Sequence, residues 1–274
     1  MSRPLGTQVP RTPLRRILLY AFCTLVFIYL MLPSLIVIPI SFGEATYLEL
    51  PPESFSLRWY QDYFGRQEWV SATITSGVVG VLVAMVSVSL GSLAAYGLVR
   101  GRFPGKTVLN ALIISPIIVP MIITAVAIYK LYSDLGFLGT IPGFVLGHTI
   151  IAFPFVIIIV SATLRGIDES LEQAAMSLGA SRLTALRRVV FPMMLPGMVT
   201  AAVFAFLISF DELLIALFIS TPTLSTLPKR LWEGIRIEIN PTIAAVSTIL
   251  VLLTVLALAG LLISRVYFER RQQR

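Results

Sequence analysis

Six stretches of the chain stay apolar for longer than a strand or an ordinary core helix requires: roughly 17–42, 70–99, 107–131, 143–164, 192–220 and 242–266. A helix needs about 20 residues to cross the ~30 Å hydrocarbon core of a bilayer, so each stretch is long enough to span one. Lipid offers the backbone no hydrogen-bond partner, which leaves helices and closed barrels as spanning structures. The runs are continuous, whereas barrel strands alternate between apolar and polar residues. The pattern predicts an all-α integral membrane protein with six transmembrane helices. Pro33 and Pro39 interrupt the first run, Pro116 and Pro120 the third and Pro154 the fourth; kinks are expected there because proline removes a backbone donor. Arg15 and Arg16 before the first run resemble the start of a signal peptide. The apolar core is too long for one and no small-x-small cleavage site follows, so the run reads as a retained first span.

The polar positions between the runs set an expected orientation. Arg3, Arg11, Arg15, Arg16, Arg100, Arg102, Lys106, Arg165, Arg182, Arg187, Arg188, Arg265, Arg270, Arg271 and Arg274 all fall on one side. The other side has Arg58, Arg66, Lys130, Lys229, Arg230 and Arg236, together with Glu44, Glu49, Glu53, Asp62 and Glu68. Basic residues accumulate on the cytoplasmic side, which places both termini inside. The expected division is a cytoplasmic segment 1–16, a six-helix domain 17–266 and a cytoplasmic tail 267–274. Two connections are long. The outer one, 43–69, carries an amphipathic segment around Leu57, Arg58, Trp59 and Tyr60, whose aromatics suit a membrane interface. The inner one is 166–191.

Composition agrees with a membrane location: 57% of residues are hydrophobic, 13% are charged and the mean hydropathy is +0.89. The net charge of +7 is then explained by topology, and no nucleic-acid partner is expected. The single cysteine, Cys23, makes neither a disulfide nor a metal cluster, and the single histidine, His148, reads as a polar residue near a helix start. No metal or cofactor site is expected. The run Gly101-Arg102-Phe103-Pro104-Gly105-Lys106-Thr107 imitates a phosphate-binding loop, but it has three residues between its glycines where four are required, and it follows a span rather than a strand. It reads as a basic turn.

The inner connection has the pattern helix, sharp turn, helix. Asp168 or Ser170 can cap a helix containing Glu172, Gln173, Ala174 and Ala175, and Gly179 permits the turn that ends it. Leu183, Leu186, Val189 and Val190, with Arg182, Arg187 and Arg188 between them, make a second, amphipathic piece suited to a bilayer surface or a partner's groove. The series Glu172-Gln173-Ala174-Ala175-x3-Gly179-Ala180, followed by a basic-apolar helix and Phe191-Pro192, resembles the EAA loop of binding-protein-dependent importer permeases. Gln173 stands where that family usually has glutamate, and Phe191 replaces the usual leucine. The resemblance implies the type I ABC importer permease fold, with 166–191 as a coupling helix that docks on a cytoplasmic ATPase through Glu172, Gln173, Ala174, Ala175, Gly179, Ala180 and Arg182.

Ser209-Phe210-Asp211-Glu212 lies inside the fifth run. An acid at mid-bilayer costs about 2.5–3.5 kcal/mol on insertion scales, so it normally faces a cavity or a partner. Adjacent helical residues point about 100° apart, which gives Asp211 and Glu212 different surroundings. A carboxylate open to a cavity would stabilise a cation. With Thr226-Leu227-Pro228 and Pro241-x2-Ala244-Ala245-x-Ser247-Thr248, this run resembles the second permease subunit of spermidine/putrescine-type systems. That implies a polyamine-like solute passing Ser209, Phe210, Asp211 and Glu212. Relatives of the family also carry opine-like compounds, amino-acid derivatives, thiamine or iron. The implied partners are a second permease, two copies of an ABC ATPase that bind the ATP and Mg²⁺, and an external substrate-binding protein. An ion-coupled secondary transporter is the alternative, although six spans without a repeat are few for that design. Intramembrane proteolysis lacks its ligands and its second acid.

A labelling experiment tests the orientation. In a Cys23→Ser background, Ser54→Cys is expected to react with a membrane-impermeant maleimide only from outside and Ser177→Cys only from inside. The opposite pattern overturns the assignment.

Overall fold

The computed structural model describes residues 13–237 and 240–272. The apolar runs fold as helices, and among the described residues the one β contact is an isolated bridge between Gly43 and Phe55. In chain order the helices are α1 (Pro13–Ser41), α2 (Arg58–Gly65), α3 (Gln67–Arg100), α4 (Lys106–Ile118), α5 (Met121–Leu135), α6 (Ile141–Arg165), α7 (Glu169–Ser177), α8 (Arg182–Ala185), α9 (Phe191–Phe210), α10 (Leu214–Ile219), α11 (Leu227–Ile237) and α12 (Thr242–Gln272). Most of the expected segment 1–16, with Arg3 and Arg11, lies outside the described residues, as does Arg274. At the other end α12 continues past residue 267 to Gln272.

Among the described residues five helices are long and apolar enough to cross a membrane: Arg15–Ser41, Gln67–Arg100, Ile141–Arg165, Arg182–Phe210 and Thr242–Gly260. The span expected over 107–131, with kinks at Pro116 and Pro120, is two separate helices, α4 and α5, bent by 101°. Pro120 explains the bend. It has no N–H to continue α4, and its ring forces Val119 into extended backbone (φ −70°, ψ 130°). Counting the bent pair as one crossing gives six. The expected fifth span is also redrawn: its helix begins at Arg182, ten residues before the predicted start, and breaks after Phe210.

α3, α6 and α9 form the core, and small residues let them approach closely. On α3 the buried positions include Ala72, Ser76, Gly80, Ser87, Gly91 and Ala95; on α9 they include Gly197, Ala201, Ala205 and Ser209, one every fourth residue. Such spacing lines up one helix face, and small side chains there permit backbone-to-backbone packing. A Cβ on Gly91 would stand 2.7 Å from Val156 Cγ1, and one on Gly80 would stand 2.9 Å from the Phe206 ring. On α9, Gly197 rests against Thr163 of α6. Around this core α1 packs on α12, and α10 packs on α5.

Polar ties close the end of the bundle opposite α7. Tyr60 bonds Ser41 at 2.7 Å, joining α2 to α1, and the Ser76 hydroxyl accepts the Leu227 N–H at 2.9 Å. Arg230 on α11 pairs with Glu68 on α3. Of the aromatics expected at a membrane interface, Trp59 is buried and Tyr60 half-buried, because α2 turns one face onto α3 and α12.

Gly91→Ala is expected to destabilise the protein by about 1–3 kcal/mol through overpacking at Val156. Gly77→Ala is the control: nothing lies within 4 Å of its added Cβ, so that change should be neutral or slightly stabilising. Thermal unfolding of the two variants in detergent measures the difference.

Candidate functional site

Two regions hold the sequence-predicted residues, and the core helices connect them. The first is the turn between α6 and α9. Asp168 caps α7, its carboxylate accepting the Ser170 N–H at 2.9 Å. These hydrogen bonds hold the Asp168 carboxyl below its ordinary pKa, so the cap is lost as pH falls through that lowered value. α7 ends at Gly179, whose φ of +92° lies in the left-handed region that glycine reaches without strain. Leu178 N–H donates to the Ala174 carbonyl at 3.1 Å, Gly179 N–H to Met176 at 2.9 Å and Ala180 N–H to Ala175 at 3.1 Å, which closes the helix end. Ser181 caps the next helix, its hydroxyl accepting the Thr184 N–H at 3.2 Å.

The second amphipathic piece is not a separate surface helix. It runs through a π-helical turn, Leu186–Val190, directly into α9. Pro192 has no N–H for the carbonyl four residues back, and the widened turn before it absorbs that loss. The basic-apolar stretch is therefore the end of the fifth crossing.

Exposure divides the predicted residues of this turn. Gln173, Ala174, Gly179 and Arg182 are exposed, Ala175 and Ala180 half-buried. Leu178, at the tip, is 90% exposed. Glu172 alone turns inward and is 7% exposed. Tyr96 of α3 donates its hydroxyl to Glu172 Oε1, and Arg100 Nε lies 3.8 Å from Glu172 Oε2. Arg100 also donates to the Ile167 carbonyl at 2.7 Å and lies 3.9 Å from Glu169. With Gln173, Met176 and Arg182, these groups line a cavity of about 320 Å³. Sequence reasoning missed Tyr96 and Arg100, which stand more than 70 residues before Glu172. The one available signal was a tyrosine and an arginine four apart at the end of a span that the same turn would meet. Lys106, in the false phosphate loop, folds back on its own turn and donates to the Gly101 carbonyl at 3.0 Å.

The second region is the break after α9. Asp211 is exposed and Glu212 is 8% exposed; both lie in the non-helical break, so the break and not a helical 100° offset separates their surroundings. Glu212 Oε1 accepts the Ile215 N–H at 2.8 Å, so its carboxylate serves the first turn of α10. Ser209 and Phe210 are buried. His148 sits in the second turn of α6, 1% exposed. Its Nδ1 is 3.1 Å from the Ser209 carbonyl and 2.9 Å from the Ser209 hydroxyl. A carbonyl only accepts, so this arrangement puts the proton on Nδ1. His148 thereby pins the end of α9 to α6, a pairing the sequence did not indicate.

Before this break α3 and α9 bound an open, largely apolar groove of about 470 Å³, lined by Ala84, Met85, Val88, Ala202, Val203 and Phe206 among others. Phe206 stacks on Phe210 at 5.4 Å, and Phe210 directly precedes Asp211 in the chain. The long turn between α6 and α9 and the broken apolar span thus stand on the same three helices. No group of three or more His, Cys, Asp or Glu that could hold a metal ion occurs among the described residues.

Residues 87–274 match the family described as binding-protein-dependent transport system inner membrane component. The chain is 30% identical over 234 residues to the spermidine/putrescine transport system permease protein PotC of Haemophilus influenzae, covering 85% of this chain and 91% of that one. It is 31% identical over 249 residues to the putrescine transport system permease protein PotI of Escherichia coli, covering 88% and 87%. Among solved structures, a chain of a bacterial ABC transporter involved in the import of the acidic polysaccharide alginate shares the fold, with a TM-score of 0.72 at 17% identity over 97% of this chain and 100% of that one. The apolar helices, the turn and these matches together place the chain in the family of binding-protein-dependent transport system inner membrane components, as a multi-pass permease subunit and not an enzyme.

Proposed function

We propose that this permease moves a small organic cation of the polyamine class across the inner membrane by alternating access, driven by a partner ATPase. Asp211 is the observation that carries the reading: an exposed carboxylate at a break in an apolar span, five residues beyond the Phe206 end of an apolar groove, while its neighbour Glu212 is committed to capping α10. A polyamine is a chain of methylenes between ammonium groups. Methylenes suit a groove of Val88, Val203 and Phe206, and an ammonium suits Asp211 and the Phe206–Phe210 faces. Ser209 and Phe210 then act by shaping the break. The names of the PotC and PotI relatives point to the same solute class.

The α7 end is assigned to the cytoplasm, with both termini, because Arg100, Arg102, Lys106, Arg165, Arg182, Arg187 and Arg188 gather there. Gln173, Ala174, Ala175, Gly179, Ala180 and Arg182, with the protruding Leu178, form the surface for the ATPase. Small alanines allow close approach, and an exposed leucine suits a protein groove. Nucleotide and Mg²⁺ belong to that ATPase, present in two copies. A second permease subunit completes the pathway, and an external substrate-binding protein delivers the solute. Closure of the ATPases moves α7 and rocks the core helices as rigid bodies.

Uptake of labelled putrescine by the reconstituted complex tests the reading. Asp211→Asn is expected to raise the half-saturating concentration about tenfold, equivalent to about 1.4 kcal/mol. Glu212→Gln should instead lower thermal stability by weakening the α10 cap. Gly179→Val forces a β-branched residue into left-handed backbone, at a cost of about 1–2 kcal/mol, and should abolish uptake and coupled ATP hydrolysis while membrane insertion persists. An unchanged Asp211→Asn variant defeats the cation-pathway assignment, and normal transport by Gly179→Val defeats the docking assignment.

A further inference from the structure

Glu172 belongs to the turn assigned to the ATPase, yet its carboxylate points back into its own chain. It is 7% exposed, while Gln173, Ala174, Leu178 and Arg182 around it face outward. A carboxylate out of water requires compensation. Here two residues of α3 provide it: the Tyr96 hydroxyl on Oε1 and the Arg100 guanidinium near Oε2. Tyr96 and Arg100 are four residues apart, so they present to one side of the last turns of α3. Arg100 uses another of its donors on Ile167, at the base of α7.

Gly166 and Ile167 join α7 to α6, the Gly179 turn joins it to α8, and α7 packs against α8 and the π-helical turn that leads into α9. Polar contacts to α3 make a further link, and α3 is closely seamed to both other core helices: Gly91 against Val156 of α6 and Gly80 against Phe206 of α9. Phe206 in turn stacks on Phe210, beside Asp211. Arg100 Nε and Glu172 Oε2 are both buried without a hydrogen-bond partner. At 3.8 Å they stand about 0.6 Å outside hydrogen-bond range, so a small approach of α7 to α3 would join them directly.

We infer that Tyr96, Arg100 and Glu172 form a strut that makes α7 and the adjoining end of α3 move as one body. Glu172 is thus a positioning residue within the permease and not a contact to the ATPase. The inference rests on the docking reading of the α7 turn given above.

The test uses the complete complex of both permeases, the ATPases and the binding protein, with Leu178→Cys in a Cys23→Ser background carrying a benzophenone maleimide. Photocapture of the ATPase reports docking, and the factor by which the binding protein stimulates ATP hydrolysis reports coupling. The strut predicts that Tyr96→Phe, which deletes one oxygen, and Glu172→Gln both preserve photocapture. Each should reduce the stimulation factor about fivefold or more, and the double variant should lose little beyond either single one. Unchanged stimulation in both variants overturns the strut. So does loss of photocapture in Glu172→Gln with wild-type behaviour in Tyr96→Phe, which would make Glu172 a direct docking contact. If the chain with wild-type Tyr96 and Glu172 captures no ATPase, the docking reading falls and the strut falls with it.

Discussion

In hydrocarbon the backbone has no partner except the protein itself, and every irregularity of this bundle is built around that constraint. The Pro120 break is closed by Val119 N–H on the Ser115 carbonyl at 3.1 Å and by Ile123 N–H on the Pro120 carbonyl at 2.9 Å. At the break after α9, Asp211 N–H returns to Leu207 at 3.1 Å, and a side chain, Glu212, takes the Ile215 N–H. The far end of α10 is tied by Gly139 N–H on the Ile219 carbonyl at 2.8 Å. A span can therefore be interrupted with several of the freed donors paired again. The cost is that specific residues are committed to the repair. Glu212 is one of them, and this leaves Asp211 as the exposed carboxylate of the pair.

The same economy governs packing. Without a hydrophobic drive between helices in lipid, association depends on close contact. The four-residue spacing of Gly197, Ala201, Ala205 and Ser209 aligns one face of α9 toward α6. Ser209 continues that face to the break, where His148 holds it. Tight seams pass displacement well because close-packed interiors are barely compressible. The α7 turn at one end and the broken span at the other both rest on α3, α6 and α9, and that shared packing links them mechanically.

Much of this was legible in the residues. Run length gave the spanning helices, since only helices of that length satisfy their own backbone in lipid. Gly179 was readable as a turn because a left-handed position excludes most side chains. The acids of Asp211-Glu212 stood out because a charge in an apolar run is costly, but the break that separates their surroundings takes both out of the helix on which their divergence was argued. Pro116 and Pro120 announced a kink, but not that α4 and α5 would meet at 101°. The amphipathic stretch after Gly179 was legible as helix; its fusion to α9 was not, because Pro192 suggested a boundary and the π-helical turn that accommodates it has no plain sequence mark.

The chain by itself determined membrane residence, helix number to within the bent pair, and the turn-and-break organisation, because these follow from local properties: apolar run length, proline's missing donor and glycine's freedom at positive φ. Tertiary structure alone decided which acid is free and which is spent, that His148 belongs to Ser209, and that Glu172 faces Tyr96 and Arg100 instead of outward. Those are pairings between residues 61 to 76 positions apart. Helical periodicity says which face a residue shares, but the partner across the seam is chosen only when the helices pack.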